Sequence, residues 1–321
     1  MIIYLDQNKW LDLAKAIIKP KEFSKYVPVA SVIQSKSDSG VWQFPISLIH
    51  LMETLKRRDI GSRERLAEVM ASISKSKSIL PFTHVEDDEF FKSFANLHAP
   101  HKEVKVSPIL DHIFGAVGSG MAQVEVDKDV PEHIKAEIHT FFTKLAHDPN
   151  IFHLLMNNMD DADSELITKI YKDEEESKQE FEQLKRKFQK TPKQYAYKVF
   201  LIDSFLSRFM TVNKRLQQIF NKSNEDIIPT ALLADQNKLL NLLESIPSLD
   251  VRIKLMYEVF KNPEKEVHEH DDRDIAFLAT AIPYCDVVIT ERTWKHHAKV
   301  QKLDIKYSTK IESDLDFLMT L

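Results

Sequence analysis

Residues 1–10 read MIIYLDQNKW. Ile2 to Leu5 form an uninterrupted apolar run of β-branched and aromatic side chains, the pattern of a short strand buried on both faces of a parallel sheet. Asp6 follows at once, with Gln7, Asn8 and Trp10 behind it. Two readings of Asp6 stand side by side. It is a cap for the helix from Asn8 to Lys19, in which Trp10, Leu11, Leu13, Ala14, Ile17 and Ile18 recur at helical spacing until Pro20. It is equally an acid just past the carboxyl end of a strand, where open α/β sheets place their ligands.

Working outward, VWQFPI at 41–46 reads as a second strand. Ser47 then caps a helix running to about Arg58, with Leu48, Leu51, Met52 and Leu55 as its apolar stripe. SILPF at 78–82 reads as a third strand. Near the other end, a helix is expected from Arg273 to Ala281, stopped by Pro283. A buried strand, DVVIT at 286–290, a short basic helix, and a final strand around IKYS at 305–308 follow. Between these ends, from 86 to 265, the pattern is helical and punctuated by prolines, and no glycine occurs after Gly120. FGAVGSG at 114–120 lacks the spacing of a nucleotide-binding loop and reads as a connector. The expected fold class is therefore α/β, with a mostly parallel sheet built from residues 1–85 and 266–321 and an all-helical insertion at 86–265.

Composition narrows the classes. A hydrophobic content of 43% supports a large core, and a net charge of −5 argues against a general polyanion binder while leaving room for a local basic face. The single cysteine, Cys285, excludes an internal disulfide and a multi-thiolate zinc site, and reads as a small buried hydrophobe. The N-terminus has no basic stretch ahead of an apolar one, and no apolar run approaches membrane-spanning length; a cytoplasmic protein without a membrane partner is expected.

Four acids occupy ligand positions in this scheme: Asp6 after the first strand, Glu53 on the helix after the second, Asp274 at the start of a late helix, and Glu291 after DVVIT. Crowded carboxylates repel one another unless a cation neutralises them. Mg²⁺ or Mn²⁺ suits oxygen ligands, and with a phosphodiester the chemistry would be metal-assisted hydrolysis. Each acid also has an ordinary reading. Asp6 and Asp274 suit helix N-termini, Glu53 pairs with Arg57 across a helical turn, and Glu291 is a polar turn residue.

The order of IIYLDQN, SLIHLMETLKRR, DIAFLATA and VVITER resembles the PIN-domain nucleases. The resemblance implies a PIN-like three-layer α/β/α sandwich and endoribonuclease activity with Mg²⁺ or Mn²⁺. Its motif falls on Asp6 with Asn8, on Glu53, on Asp274, and on Thr290 with Glu291; Arg292 stands where the family often has its fourth acid. It also implies RNA as substrate in preference to DNA, and a role as a bacterial toxin or defence effector. Asp271, in the run HEHDDRD at 268–274, is a further candidate ligand.

Two basic stretches are candidate nucleic-acid contacts. Arg292, Lys295 and Lys299 lie beside the acids, and Lys185, Arg186, Lys187 and Lys190 are interleaved with Phe188, Tyr195 and Tyr197 in LKRKFQKTPKQYAYK at 184–198. The plain reading of the second stretch is a solvated helix end paired with the acidic run at 173–177. Trp294 reads as core. The opposing function is a catalytically degenerate scaffold that acts through a protein or RNA partner, or by self-association, using the helical insertion. An HD-type phosphohydrolase, suggested by neighbouring histidines and aspartates, is disfavoured by the strands at both ends.

Overall fold

The structure is a computed structural model that describes residues 1–98, 105–118, 130–157, 163–192, 195–203, 235–264, 266–268 and 270–321. Its described strands are β1 (Ile3–Leu5), β2 (Ser78–Ile79), β3 (Ile109–Leu110), β4 (Val287–Ile289) and β5 (Lys310–Glu312). The α-helices through the first half are α1 (Gln7–Ile18), α2 (Val27–Asp38), α3 (Leu48–Leu55), α4 (Ile60–Ser74), α5 (Phe82–His98), α6 (Glu132–Ala146) and α7 (Ile151–Asn157). Beyond them come α8 (Asp163–Lys190), α9 (Gln236–Glu244), α10 (Pro247–Phe260), α11 (Asp271–Tyr284), α12 (Arg292–Val300) and α13 (Leu303–Tyr307). The chain divides into an α/β unit of Met1–Pro81, Pro108–Lys172 and Tyr284–Leu321, and a helical unit of Phe82–Ser107 and Asp173–Pro283.

In the α/β unit β1 pairs in parallel with β4, Ile3 opposite Val287 and Leu5 opposite Ile289. The outer flank of β4 pairs in parallel with β5, Ile289 opposite Glu312. On the other flank of β1, Gln43 makes a parallel bridge to Ile2, and Ile46 makes one to Ser78. The spatial order of sheet segments is thus β2, residues 43–46, β1, β4, β5, and β3 adds antiparallel to β2 at the edge. Asp286 fastens the amino ends: its Oδ2 accepts from the Ile2 N–H at 2.7 Å and its own N–H donates to the Ile2 carbonyl at 2.9 Å.

The expected strand at 41–46 is reduced to two isolated bridges. Pro45 lies between them and has no N–H to donate to a ladder. Phe44 and Ile46 nevertheless reach full burial, so the segment holds its place by packing. The strand expected over 78–82 ends at Ile79, and α5 begins directly after Pro81. The last strand is also displaced. Residues 303–307 form a helical turn, bounded by left-handed backbone at Lys302 (φ 55°) and Ser308 (φ 56°), and the strand starts at Lys310. Helix α11 begins at Asp271 and carries Pro283 inside its last turn.

The helical region does not form one insertion over 86–265. Residues 108–172 group with the α/β unit and 266–283 with the helical unit. Packing explains the first assignment. Ile151, Phe152 and Met156 of α7 join the core around Leu66, Met70 and Ile73 of α4, and the Ser76 hydroxyl donates to the Asp148 carbonyl at 2.5 Å. Trp10, Leu13 and Ala14 of α1 enter the same core, whereas Ile17 and Ile18, expected on that stripe, are 40% and 38% exposed. In the helical unit, Phe181, Phe188 and Phe200 cluster on Phe260, with ring centroids 4.8, 5.7 and 5.6 Å from it.

Helix α3 keeps its expected cap and loses its last turn, because Asp59 caps α4 and residues 56–59 become the link. The buried face is Ile49, His50, Leu51, Thr54 and Leu55. Ser47 and His50 cap reciprocally: the ring Nδ1 accepts from the Ser47 N–H at 2.9 Å. Ser47→Ala is expected to lower the unfolding free energy by about 1 kcal/mol, measured by urea denaturation; an unchanged midpoint would show that the cap contributes nothing.

Candidate functional site

From β1 the sheet grows through residues 43–46 to β2 on one side, then through β4 to β5 on the other. The direction of growth reverses between β1 and β4, and at such a reversal a crevice opens beyond the carboxyl ends of the strands. Asp6 follows β1 and Thr290–Glu291 follow β4, so three of the expected site residues flank this point.

Asp6 serves both of its readings. As N-cap of α1 its Oδ1 accepts from the Gln7 N–H at 2.7 Å, and its own N–H continues the sheet by donating to the Ile289 carbonyl at 2.9 Å. Its Oδ2 accepts from the buried Thr290 hydroxyl at 3.1 Å. One turn into α1, the Asn8 amide donates to Glu291 Oε1 at 2.6 Å. Glu291 is the N-cap of α12 by backbone geometry, but its side chain makes no capping bond. Among the described residues neither the Asp6 nor the Glu291 carboxylate forms an ion pair; neutral donors hold both. Burial pushes the Asp6 carboxyl above its ordinary range. The Thr290 and Gln7 hydrogen bonds pull it back, the charge of Glu291 adds to the rise, and Lys9 opposes it.

The other expected ligands are placed differently. Glu53 accepts from Lys56 Nζ at 3.1 Å, and the expected partner, Arg57, instead donates to the Ser62 hydroxyl at 2.9 Å. Asp274 and Asp271 belong to the helical unit. Asp271 opens α11 and is buried, with its Oδ2 accepting from the His268 N–H at 3.0 Å, which ties the preceding turn to the helix start. Asp274 lies in the first turn of α11, where its N–H donates to the His270 carbonyl at 2.9 Å. Among the described residues no three His, Cys, Asp or Glu side chains are grouped closely enough to hold a metal ion.

Glu312 was missed by sequence reasoning. It ends β5, its carbonyl accepts from the Thr290 N–H at 2.9 Å, and its carboxylate accepts from Lys295 at 2.5 Å and Lys299 at 3.0 Å. Burial raises this carboxyl, but the two lysines outweigh burial and hold it below the usual range. An acid at a strand end was legible in KIES at 310–313; the misplaced final strand hid it. Two of the cations expected to contact nucleic acid are therefore occupied, while Arg292 is exposed at the start of α12.

The basic stretch of α8 also departs from expectation. Lys185 is buried, and Phe188 packs on Phe200, Tyr257 and Phe260 as core. Arg186 pairs with Glu182 at 3.3 Å and Lys187 with Asp203, so their partners are not in the acidic run at 173–177, and Lys190 is exposed. Trp294 and Cys285 are buried as expected, and burial drives the Cys285 thiol pKa upward, away from nucleophilic use. Among the described residues no helix is long and apolar enough to cross a membrane. The chain matches no protein-family model, no curated protein and no solved structure at significance.

Proposed function

We propose that the α/β unit is a PIN-like domain and that the protein is a metal-dependent endoribonuclease. The observation that carries this reading is the pair Asp6 and Glu291 at the sheet's reversal point, two carboxylates oriented by Thr290 and Asn8 and in no ion pair among the described residues. The segment order β2, 43–46, β1, β4, β5 supports it as well.

The donor set fits a hard divalent cation. Mg²⁺ keeps several waters and is commonly held by one or two carboxylates together with substrate phosphate, so Asp6 and Glu291 suffice as protein ligands. When bound, such an ion would neutralise phosphate charge and acidify water. The chain's own residues do the positioning. Thr290 and the Gln7 N–H fix the plane of the Asp6 carboxylate, and Asn8 fixes Glu291 by one oxygen, leaving Oε2 for a ligand. Arg292 offers a cation to a phosphate, and Glu53 and Glu312 are already paired with lysines.

The test is cleavage of single-stranded RNA and of DNA of the same sequence. Cleavage of the RNA with Mn²⁺, its loss with EDTA, and a drop of at least about 100-fold in Glu291→Gln are expected, larger than the loss on removing an outer hydrogen-bond partner. No cleavage of diverse RNAs and no Mn²⁺ binding by calorimetry would favour the scaffold reading. Cleavage of the DNA alone would replace the substrate. The place of such an activity in toxicity or defence, in the cytoplasm, is part of the same proposal and would be read by growth arrest on expression in a bacterium.

A further inference from the structure

The helical unit contains a cleft of about 630 Å³, within the range of small-molecule sites. It is lined from α5 by Phe82 and Thr83, from α10 by Arg252, and from α11 by Asp272. Arg252 is the unusual group. Its Cζ sits 4.9 Å from the centroid of the Phe82 ring, within range of a cation–π contact. Its nearest carboxylate oxygen, Asp272 Oδ1, is 3.9 Å from Nη2, too far for a hydrogen bond. Its Nε is buried with no acceptor, and no described residue accepts a hydrogen bond from any of its nitrogens. The side chain is 24% exposed, and Arg252 lines the cleft. A guanidinium packed on a ring, in a loose ion pair but with no hydrogen-bond acceptor among the described residues, offers its fork of donors to a phosphate.

The rest of the cleft narrows the ligand. Leu184, Phe200 and Met256 give an apolar floor for a flat organic body. Lys187 supplies a second cation at the rim, paired with Asp203 and well exposed, so that a phosphate can compete for it. Asp272 is fixed by the Ser177 hydroxyl at 2.8 Å and presents an acceptor beside Arg252. That carboxylate suits sugar hydroxyls or an amino group and repels a second phosphate. The geometry points to a binding site for a nucleoside monophosphate, with the phosphate on Arg252, the base over the apolar floor and the ribose toward Asp272.

This inference is independent of the acids at Asp6 and Glu291, and its test is run on the full chain in EDTA, which removes any binding through a divalent ion. AMP and UMP are titrated by calorimetry beside adenosine and inorganic phosphate. Saturable binding of at least one nucleotide is expected, at least about 10-fold tighter than adenosine or phosphate, with a further loss of about 10-fold or more in Arg252→Gln. Because that variant removes a packed side chain, the wild type is also treated with phenylglyoxal and its modified arginines mapped by mass spectrometry. Bound nucleotide should protect Arg252. No saturable binding of either nucleotide up to about 5 mM, equal affinity for adenosine, equal affinity for inorganic phosphate, or an unprotected Arg252 would each overturn the assignment.

Discussion

Asp6→Asn is expected to cut Mn²⁺-dependent RNA cleavage by at least about 100-fold while raising the thermal midpoint of the protein. The loss follows from removing one of two anionic ligands, a larger change than the roughly 10–100-fold typical of an outer hydrogen-bond partner. The gain follows from linkage. The folded-state pKa of Asp6 lies above the unfolded value of 3.8, so between the two the native state binds more protons than the unfolded state. Stability contributed by this group is complete below 3.8 and is lost as pH rises through the folded value, so that near neutral pH the charged carboxylate is a net cost. Asparagine can keep an acceptor for the Gln7 N–H and a contact to the Thr290 hydroxyl while removing the charge. A bound divalent ion would relieve the same cost, so Mn²⁺ should raise the midpoint of the wild type, by about 2.7 kcal/mol of stabilisation at a hundredfold excess over Kd, and leave Asp6→Asn nearly unmoved. Activity lost with stability gained separates a functional acid from a damaged fold. Retained cleavage, or a lowered midpoint in the variant, would refute the role given to Asp6.

The features that sequence made legible were those with continuous apolar runs. β1 and β4 are buried at every position, and in a parallel sheet this leaves an unbroken hydrophobic stretch ended by a polar residue, so Asp6 and Glu291 could be located before any coordinates. The segment at 43–46 was legible as apolar but not as broken, since a bridge on either side of Pro45 depends on which neighbours are available. The strand at 310–312 was hidden because its exposed Lys310 and partly buried Glu312 flank a single buried Ile311. Lys185 shows how charge can mislead. It lies on the face marked by Phe181 and Phe188, four residues after one and three before the other, and that spacing places its stem in the core whatever its ammonium does. The grouping of 108–172 with the sheet rests on long-range contacts between α4 and α7, which no local pattern encodes.

Acid should destabilise this protein through His50 well before its carboxylates are protonated. The His50 ring is fully buried under Tyr4, whose ring centroid is 5.4 Å away, and against Trp10 at 6.2 Å. Its partners fix the neutral tautomer: Nε2 donates to the Leu5 carbonyl at 2.8 Å, and Nδ1 accepts from the Ser47 N–H at 2.9 Å. A second proton on Nδ1 would set two donors against each other inside the core. Burial accordingly lowers the pKa from 6.5 to about 3, against a smaller upward pull from the Leu5 bond. The unfolded chain therefore binds the extra proton across that interval, and the stability contributed is complete above pH 6.5 and lost as pH falls toward 3. The linkage amounts to about 2 kcal/mol between pH 7 and pH 5 and about 5 kcal/mol at the acid limit. Asp6 acts with the opposite sign in the lower part of the window, so the acid loss should be steeper in Asp6→Asn than in the wild type. Urea denaturation at pH 7, 6 and 5 reads the slope directly, with His50→Gln as the control: it should be less stable at pH 7, through loss of ring packing, and nearly flat across the series. A wild type as stable at pH 5 as at pH 7, or a slope that survives unchanged in His50→Gln, would show that the ring is not the group that titrates. The Nε2 bond to the carbonyl immediately before Asp6 survives in either protonation state, so the ring acts through unfolding, and cleavage should fall with the folded fraction below pH 6.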